Sequence, residues 1–440
     1  MIESAPMMRT ILDAQPSPAL VPDGDRLGEY ADSSTFISNM KQPVHRWFRY
    51  SAGFSADWVR DIITRHARSS GLLFDPFAGC GTTVLAAQEC GQNAVGIESH
   101  PFVLRVAKAK LAWFESIERF SKYSDQILAL ARRQGGDTRG YSQLIYDCFP
   151  EDTLHDLDAL RRAWIEKDDD SPSSLLSWLA LTKILRECSP VGTSQMELIQ
   201  PKKRKKNVSR PFEAFAQQVR QMLVDMSLFR RDHLNQRAEV HRDDARTCSL
   251  VSDESVTLTI TSPPYINNFD YADATRFEMT FWREIKGWGD LQQSVRQYLV
   301  RSCAQHMSYQ KQSLPELLNS KRLLPIIDDL HSTCSSLSDE RAKHGGKKNY
   351  HLMTAAYFLD MAEVWVALRR VCRDQSRVCF VVGDSAPYGI YVPVHEWLGR
   401  LAMAAGFRTY SFEKVRDRNI KWQNRKHRVP LCEGRLWVEG

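Results

Sequence analysis

The sequence contains no C-x-x-C pair, although cysteine occurs ten times in its 440 residues. The ten, at positions 80, 90, 148, 188, 248, 303, 334, 372, 379 and 432, are scattered. That spacing suggests neither a zinc knuckle nor a disulfide framework and predicts reduced, mostly buried thiols. No uninterrupted apolar run reaches transmembrane length, and the opening MIESAPMMRT carries an acid with no signal-type apolar stretch behind it. A cytoplasmic protein with no membrane partner is expected. A complete G-x-G-x-x-G is missing as well, because Val84 stands where the third glycine of the turn at Gly79 and Gly81 would be. No internal repeat is present.

With 43% hydrophobic and 25% charged residues, the chain has material for more than one core, since single cores stop growing at roughly 250–300 residues. A main domain with substantial insertions is expected. The net charge is only +6, but it is unevenly placed. Lys202, Lys203, Arg204, Lys205 and Lys206 are consecutive, and residues 413–428 carry seven Lys/Arg against two acids. Two basic patches on a slightly acidic body are the footprint of a polyanion partner, or else solvated surface.

Residues 1–35 are rich in Pro, Asp and Ser without periodicity and read as a flexible arm. A short apolar strand then ends at Asp75, a glycine-containing turn follows, and Thr82–Cys90 reads as a helix stopped by Gly91. Asn93–Ile97 is a second strand ending on Glu98, with a further helix over about 102–113. This β-loop-α-β-α order begins a doubly wound, Rossmann-like α/β sheet. Residues 115–235 read as a mostly helical insertion, and sheet-like sequence resumes at 239–241, 256–260 and 378–382. A second insertion, about 286–350, has no strand signal, and 429–438 resembles a closing hairpin. His45, Trp47 and Trp58 read as packing or lid residues, Asp360 as an exposed helix acid, and Gly383–Ser385 as following a strand at its ligand end.

Three stretches carry chemistry. Gly79 and Gly81 allow backbone to approach a ligand at a helix amino terminus, and Glu98, at the tip of the next strand, stands where an acid that binds ribose hydroxyls is expected. Val256–Ile260 is a run of strand formers that stops at Ser262-Pro263-Pro264-Tyr265. Consecutive prolines cannot extend a ladder, so a stiff loop must lie at the carboxyl end of that strand, where ligands bind in open α/β sheets.

On these stretches the chain resembles the DNA amino-methyltransferases, which move a methyl group from S-adenosylmethionine to the exocyclic nitrogen of cytosine or adenine. FDPFAGCGTT (74–83) looks like that family's cofactor motif, which implies that Asp75, Phe77, Gly79, Gly81 and Thr82 hold the cofactor. HRDDARTC (241–248) looks like the motif whose acid reads the adenine amino group, and its register points to Asp244. TSPPY (261–265) resembles the catalytic motif, and PVHRWFRYSAGFS (43–55) the segment that covers the cofactor. The resemblance divides the chain into a cofactor-binding half (36–114), the helical insertion (115–235), a catalytic part (236–285), the second insertion (286–350) and the rest of the sheet (351–440).

An exocyclic amine is a poor nucleophile because its lone pair is delocalised into the ring. Acceptors at the Ser262 hydroxyl and the Pro263 carbonyl would take its two hydrogens and aim the lone pair at the methyl. Pro264 has no N–H to compete, and Tyr265 would stack on a flipped base. The chain has no Pro-Cys dipeptide, which argues against carbon-5 methylation of cytosine. Ser262 before the prolines suggests N4-methylcytosine; adenine N6, guanine N2 in RNA, and a binding protein without catalysis are the alternatives. Double-stranded DNA is the expected partner; the resemblance leaves open whether a cognate restriction endonuclease accompanies it. Its backbone is expected at Lys202–Lys206 and at Lys421, Trp422, Arg425 and Lys426.

Overall fold

A computed structural model describes residues 36–50, 53–68, 71–193, 199–205, 207–232, 237–266, 269–309, 312–343, 348–418 and 429–440. Among the described residues nine strands follow one another: β1 (Leu72–Asp75), β2 (Asn93–Ile97), a separate hairpin of β3 (Val191–Thr193) and β4 (Ile199–Arg204), β5 (Ala238–His241), β6 (Val256–Thr261), β7 (Cys372–Gly383), β8 (Thr409–Arg418) and β9 (Leu431–Glu439). The large sheet has the order β5-β2-β1-β6-β7-β9-β8. The first five of these strands are parallel, and β9 and β8 close the sheet antiparallel. From β1 the chain first winds outward through β2 to β5, then crosses to β6 and winds the other way. The order therefore reverses between β1 and β6, and the crevice at the carboxyl ends of these two strands is the topological switch point of a doubly wound fold.

The central strand β6 is buried at all six positions. Its threonines, at alternate residues, share one face and each finds a partner. The Thr257 hydroxyl donates to the Leu72 carbonyl at 3.3 Å, Thr259 lies 3.9 Å from the Cys372 sulfur, and Thr261 donates to Asp75 Oδ1 at 2.5 Å. Alternation thus gives a strand that is fully buried yet hydroxyl-lined on one face. Leu73, Leu258, Ile260 and Val381 enter one core, while Phe74, Val378, Phe380 and Val382 enter the other. The Phe380 ring stacks on Trp365 at 4.5 Å.

The helices are α1 (Ala56–His66), α2 (Thr82–Glu89), α3 (Pro101–Leu111), α4 (Ile117–Gln134), α5 (Glu151–Lys167), α6 (Pro172–Cys188), α7 (Pro211–Asp232), α8 (Ile327–Lys343), α9 (Tyr350–Val371) and α10 (Val394–Ala404), with shorter turns between. Helices α4 to α7 form a lobe whose apolar stripes join the core on the α1–α3 side. The guanidinium of Arg105 on α3 lies over Trp178 and Trp164 at 4.2 and 5.0 Å. Among the described residues no helix is long and apolar enough to cross a membrane. All ten cysteines are free thiols, eight of them buried.

Three elements differ from the sequence reading. The run at 202–206 begins on strand β4 of a hairpin within the otherwise helical insertion. The closing hairpin is made by β9 with β8, whose residues read as part of a basic strip because TYSFEKVRDR is an edge strand with most positions exposed. Asp360 is buried, not exposed, and accepts three hydrogen bonds from Arg301 at 2.6–2.9 Å.

The lobe also grips the amino-terminal segment. Buried Asp225 on α7 accepts from the Trp47 indole N–H and Arg46 Nε, both at 2.9 Å, and from the Val44 N–H at 3.4 Å. His45, Trp47 and Trp58 are buried packing residues. Removing one member of a buried charged network leaves the others unpaired. Asp225→Ala is therefore expected to cost about 3 kcal/mol of folding stability, read as a lower urea midpoint with an unchanged slope.

Candidate active site

Strand β1 delivers Asp75 to the switch point, and the chain must then turn sharply into α2. Gly79 and Gly81 take φ values of 53° and 86°, in the left-handed region where a side chain is strained. A Cβ on Gly79 would also press on the Tyr50 ring at 3.3 Å. The turn is anchored from the next strand: Glu98, just beyond β2, accepts the Gly79 N–H and the His100 N–H, each at 2.8 Å. Burial outweighs these hydrogen bonds and pushes the Glu98 carboxyl up to about 7. Burial likewise raises Asp75 to about 6, although its Oδ1 accepts from the Thr261 hydroxyl and from the Phe77 N–H at 3.0 Å. The other oxygen of Asp75, Oδ2, is buried and has no hydrogen-bond partner among the described residues.

Asp244 follows β5 and completes the row. Its neighbour Asp243 caps the turn, accepting from Leu250 N–H and the Ser249 hydroxyl at 2.9 Å. Asp244 lines the cleft and is held by Arg246, whose Nη2 and Nε lie 2.6 and 2.9 Å from its carboxylate. Arg246 in turn reaches buried Asp360 at 3.6 Å. Asp75, Glu98 and Asp244 thus stand at the carboxyl ends of three adjacent strands in sheet order, a row roughly 10 Å long at the usual strand spacing.

A cleft open to solvent runs along Glu98 and Asp244; Asp75, Gly81, Pro263 and Tyr265 stand behind its lining. Phe77, Gly79 and Thr82 line it at the α2 end, and Tyr50, Gly53 and Phe54 cover it from the amino-terminal segment. Ser262, Pro264 and Tyr271 bound it at the switch point, and Leu299 and Val300 form the far wall. That wall is fixed by two ion pairs, Arg296 with Asp270 and Arg301 with Asp360, both at 2.6 Å. Gly81 is the cap residue of α2, and its carbonyl accepts the first helical hydrogen bond, from Leu85.

The proline loop after β6 is braced on both sides. Ser262 Oγ donates to the Val381 carbonyl at 3.3 Å, Pro263 is buried, and the Tyr265 N–H donates to the Tyr271 hydroxyl at 3.1 Å. Tyr50, Phe54, His100, Tyr271, Leu299 and Val300 were not individually legible in the sequence. The stretch 43–55 flagged the neighbourhood of Tyr50 and Phe54; nothing in the second insertion signalled Leu299 and Val300.

Of the basic residues, Arg204 and Lys205 are exposed, and Lys205 Nζ donates to the Arg186 carbonyl at 2.6 Å. Lys202 and Lys203 lie on β4, and Lys206, Lys421, Trp422, Arg425 and Lys426 lie outside the described residues. In the described part of the second strip, Lys414 pairs with Asp417 at 2.6 Å and Arg416 with Glu433 at 2.8 Å.

S-adenosylmethionine fits these donors and acceptors. The Glu98 carboxylate on the middle strand suits ribose hydroxyls, Asp244 suits an aromatic amine, and the glycine turn lets backbone approach the ligand; Asp75 lies behind the lining. The family model described as DNA methylase, for N6 and N4 methyltransferases, matches residues 20–109. The chain is similar to the Type II methyltransferase M.BsoBI of Geobacillus stearothermophilus, 24% identical over 87% of this chain and 82% of that protein. It is also similar to the Type II methyltransferase M.AvaI of a Nostoc species, 26% identical over 85% and 81%. M.MjaII of Methanocaldococcus jannaschii, another Type II methyltransferase, is 33% identical over 18% of this chain and 15% of its own length.

Were S-adenosylmethionine bound against Glu98 and Asp75, the raised carboxyls would make its binding proton-linked. A ligand that donates hydrogen bonds to Glu98 and Asp75 favours their ionised forms, so binding near pH 6.5 should release protons. Affinity should weaken as the pH falls from about 7.5 to about 5.5. Calorimetry in buffers of different ionisation enthalpy reads the released protons. Glu98→Gln should lose a large share of them and weaken binding by about 1.5–3 kcal/mol.

Proposed function

The chain belongs to the DNA amino-methyltransferases, and on that premise we propose that it methylates N4 of cytosine at a specific site in duplex DNA. S-adenosylmethionine supplies an electrophilic methyl group on a sulfonium. The observation that carries the reading is the single hydrogen of the Ser262 hydroxyl, which is already committed to the Val381 carbonyl. Toward the cleft the oxygen can only accept, which is what an amine with two hydrogens requires. The Pro263 carbonyl is the second acceptor, and the two together draw the nitrogen toward tetrahedral geometry with its lone pair facing the methyl. The stiffness of Pro263 and Pro264 holds both acceptors still. Tyr265 offers its ring to the flipped base, replacing stacking lost from the duplex. A neutral hydroxyl in place of a carboxylate or amide before the prolines supports cytosine over adenine. The role resembles that of a modification enzyme beside a restriction endonuclease.

Ser262→Ala should leave cofactor affinity unchanged and slow transfer about 10- to 100-fold, the worth of a hydrogen bond that strengthens as charge develops. Mass spectrometry of nucleosides from DNA treated with the pure enzyme should show N4-methylcytosine. N6-methyladenine as the sole product would remove the cytosine assignment.

The hairpin β3–β4 presents Arg204 and Lys205 beside the lobe, and DNA backbone is proposed to run against it and against 414–428. Replacing Lys202, Lys203 and Arg204 by Gln should weaken binding to all sequences alike. Each lost phosphate contact should flatten the dependence of log affinity on log salt by about 0.9. An unchanged slope would make the hairpin an ordinary solvated surface.

A further inference from the structure

Beside the proline loop, at the carboxyl end of β7, lies a second built constellation. Asp384 is buried, and both of its carboxylate oxygens are occupied. His395 Nδ1 lies 3.0 Å from one, and the Tyr391 hydroxyl and Cys432 thiol reach the other at 3.0 and 3.1 Å. An imidazole, a thiol and a carboxylate within 4.8 Å of one another are metal-ligand types. Here the donors are hydrogen-bonded to Asp384 itself, and the cluster clamps that residue in place. A fourth bond, from the Asp384 N–H to the Cys432 carbonyl at 3.0 Å, completes the clamp.

What the clamp presents is the Asp384 carbonyl, and it holds Arg418. Arg418 Nη1 donates to that carbonyl at 2.9 Å, and its Nε lies 3.8 Å from buried Glu433. The guanidinium carbon sits 5.1 Å from the centroid of the Tyr265 ring. Gly383 makes room for it: a Cβ there would collide with Nη1 and lie 3.1 Å from Cδ and Cζ. Four elements thus fix one guanidinium against one ring: the end of β7, the end of β8, the start of β9 and the proline loop.

We infer that Arg418 is a positioning residue for the flipped base, backing one face of Tyr265 so that the ring offers its other face as a rigid platform. This rests on the stacking role proposed for Tyr265. A ring has two faces, and a cation on one of them fixes the tilt of the other, with cation–π attraction strongest where the pair is partly desolvated. Glu433, which also pairs with Arg416 at 2.8 Å, lies 3.8 Å from the Arg418 Nε and offsets part of its charge beside an amine that becomes positive during transfer. Arg418 also ends β8, the strand that leads into residues 419–428 of the basic strip. A DNA contact there and the base platform therefore share one backbone.

The test is a double-substitution cycle on single-turnover methyl transfer, with cofactor affinity and circular dichroism as integrity controls. Arg418→Ala is expected to slow transfer about 5- to 20-fold, the range of a partly buried cation–π pair. In a Tyr265→Leu background it should produce no further loss, because the ring it backs is absent. Gly383→Ala, which displaces the guanidinium without removing it, should reproduce most of the loss, and Arg418→Lys should restore part of it. An equal loss from Arg418→Ala in both backgrounds would overturn the inference and assign Arg418 to phosphate binding. A wild-type rate in Gly383→Ala would overturn it as well. The cycle is read on whichever base the enzyme methylates, so failure of the cytosine assignment leaves it intact. A Tyr265→Leu enzyme with the wild-type rate would sink both this inference and the stacking role, while Ser262→Ala separately tests the rest of the loop.

Discussion

The hydrogen bond from the Thr261 hydroxyl to Asp75 joins the two halves of the sheet at the point where their winding directions part. Strand β1 and everything wound outward from it lead to Asp75, Glu98 and Asp244, the acids proposed for the cofactor, whereas β6 and everything beyond it lead to the proline loop. Methyl transfer is a reaction between the two, and small errors in approach are costly. The cross-strand bond sets the last residue of β6 against the last residue of β1, so the loop starts from a fixed place. It also consumes one oxygen of Asp75 and leaves the other buried without a hydrogen-bond partner among the described residues, which makes the carboxyl a structural brace.

The doubly wound plan was legible from sequence because parallel strands buried on both faces are written as short apolar runs. Asp75, Glu98 and the residues after Thr261 stand where those runs stop. In the cleft, Phe77, Gly79, Thr82, Glu98, Asp244, Ser262 and Pro264 come together from stretches separated by more than 180 residues. What was not legible depends on charge placed by tertiary structure. Strand β8 alternates Lys, Arg, Asp and Glu on an exposed edge, so its composition resembles a solvated strip until β9 pairs with it. Asp360 sits on a helix apolar on nearly every side, and only its distant partners, Arg301 59 residues away and Arg246, explain it. Asp225 has partners 178 to 181 residues earlier, a separation at which no local pattern survives.

Clamping by hydrogen bonds recurs around the cleft. Asp225 holds the segment that leads to Tyr50 and Phe54, Glu98 holds the glycine turn, and Asp384 holds the carbonyl that holds Arg418. Each is a carboxylate taking several donors at once, and each lies next to a loop that lines the cleft or the platform beside it. Irregular backbone is thereby given the rigidity that regular secondary structure supplies elsewhere, a requirement for any site whose acceptors must not drift.

The far wall of the cleft has an evolutionary side. Leu299 and Val300 belong to the same stretch of chain that opens the second insertion, and the ion pairs of Arg296 and Arg301 root that stretch in Asp270 and Asp360. Arg246 ties the same Asp360 to Asp244. An insertion attached in this way is no detachable cassette. A lineage that remodels it by recombination must keep residues 296–301 together with both of their acidic anchors, and a crossover at the apparent start of the insertion would part them.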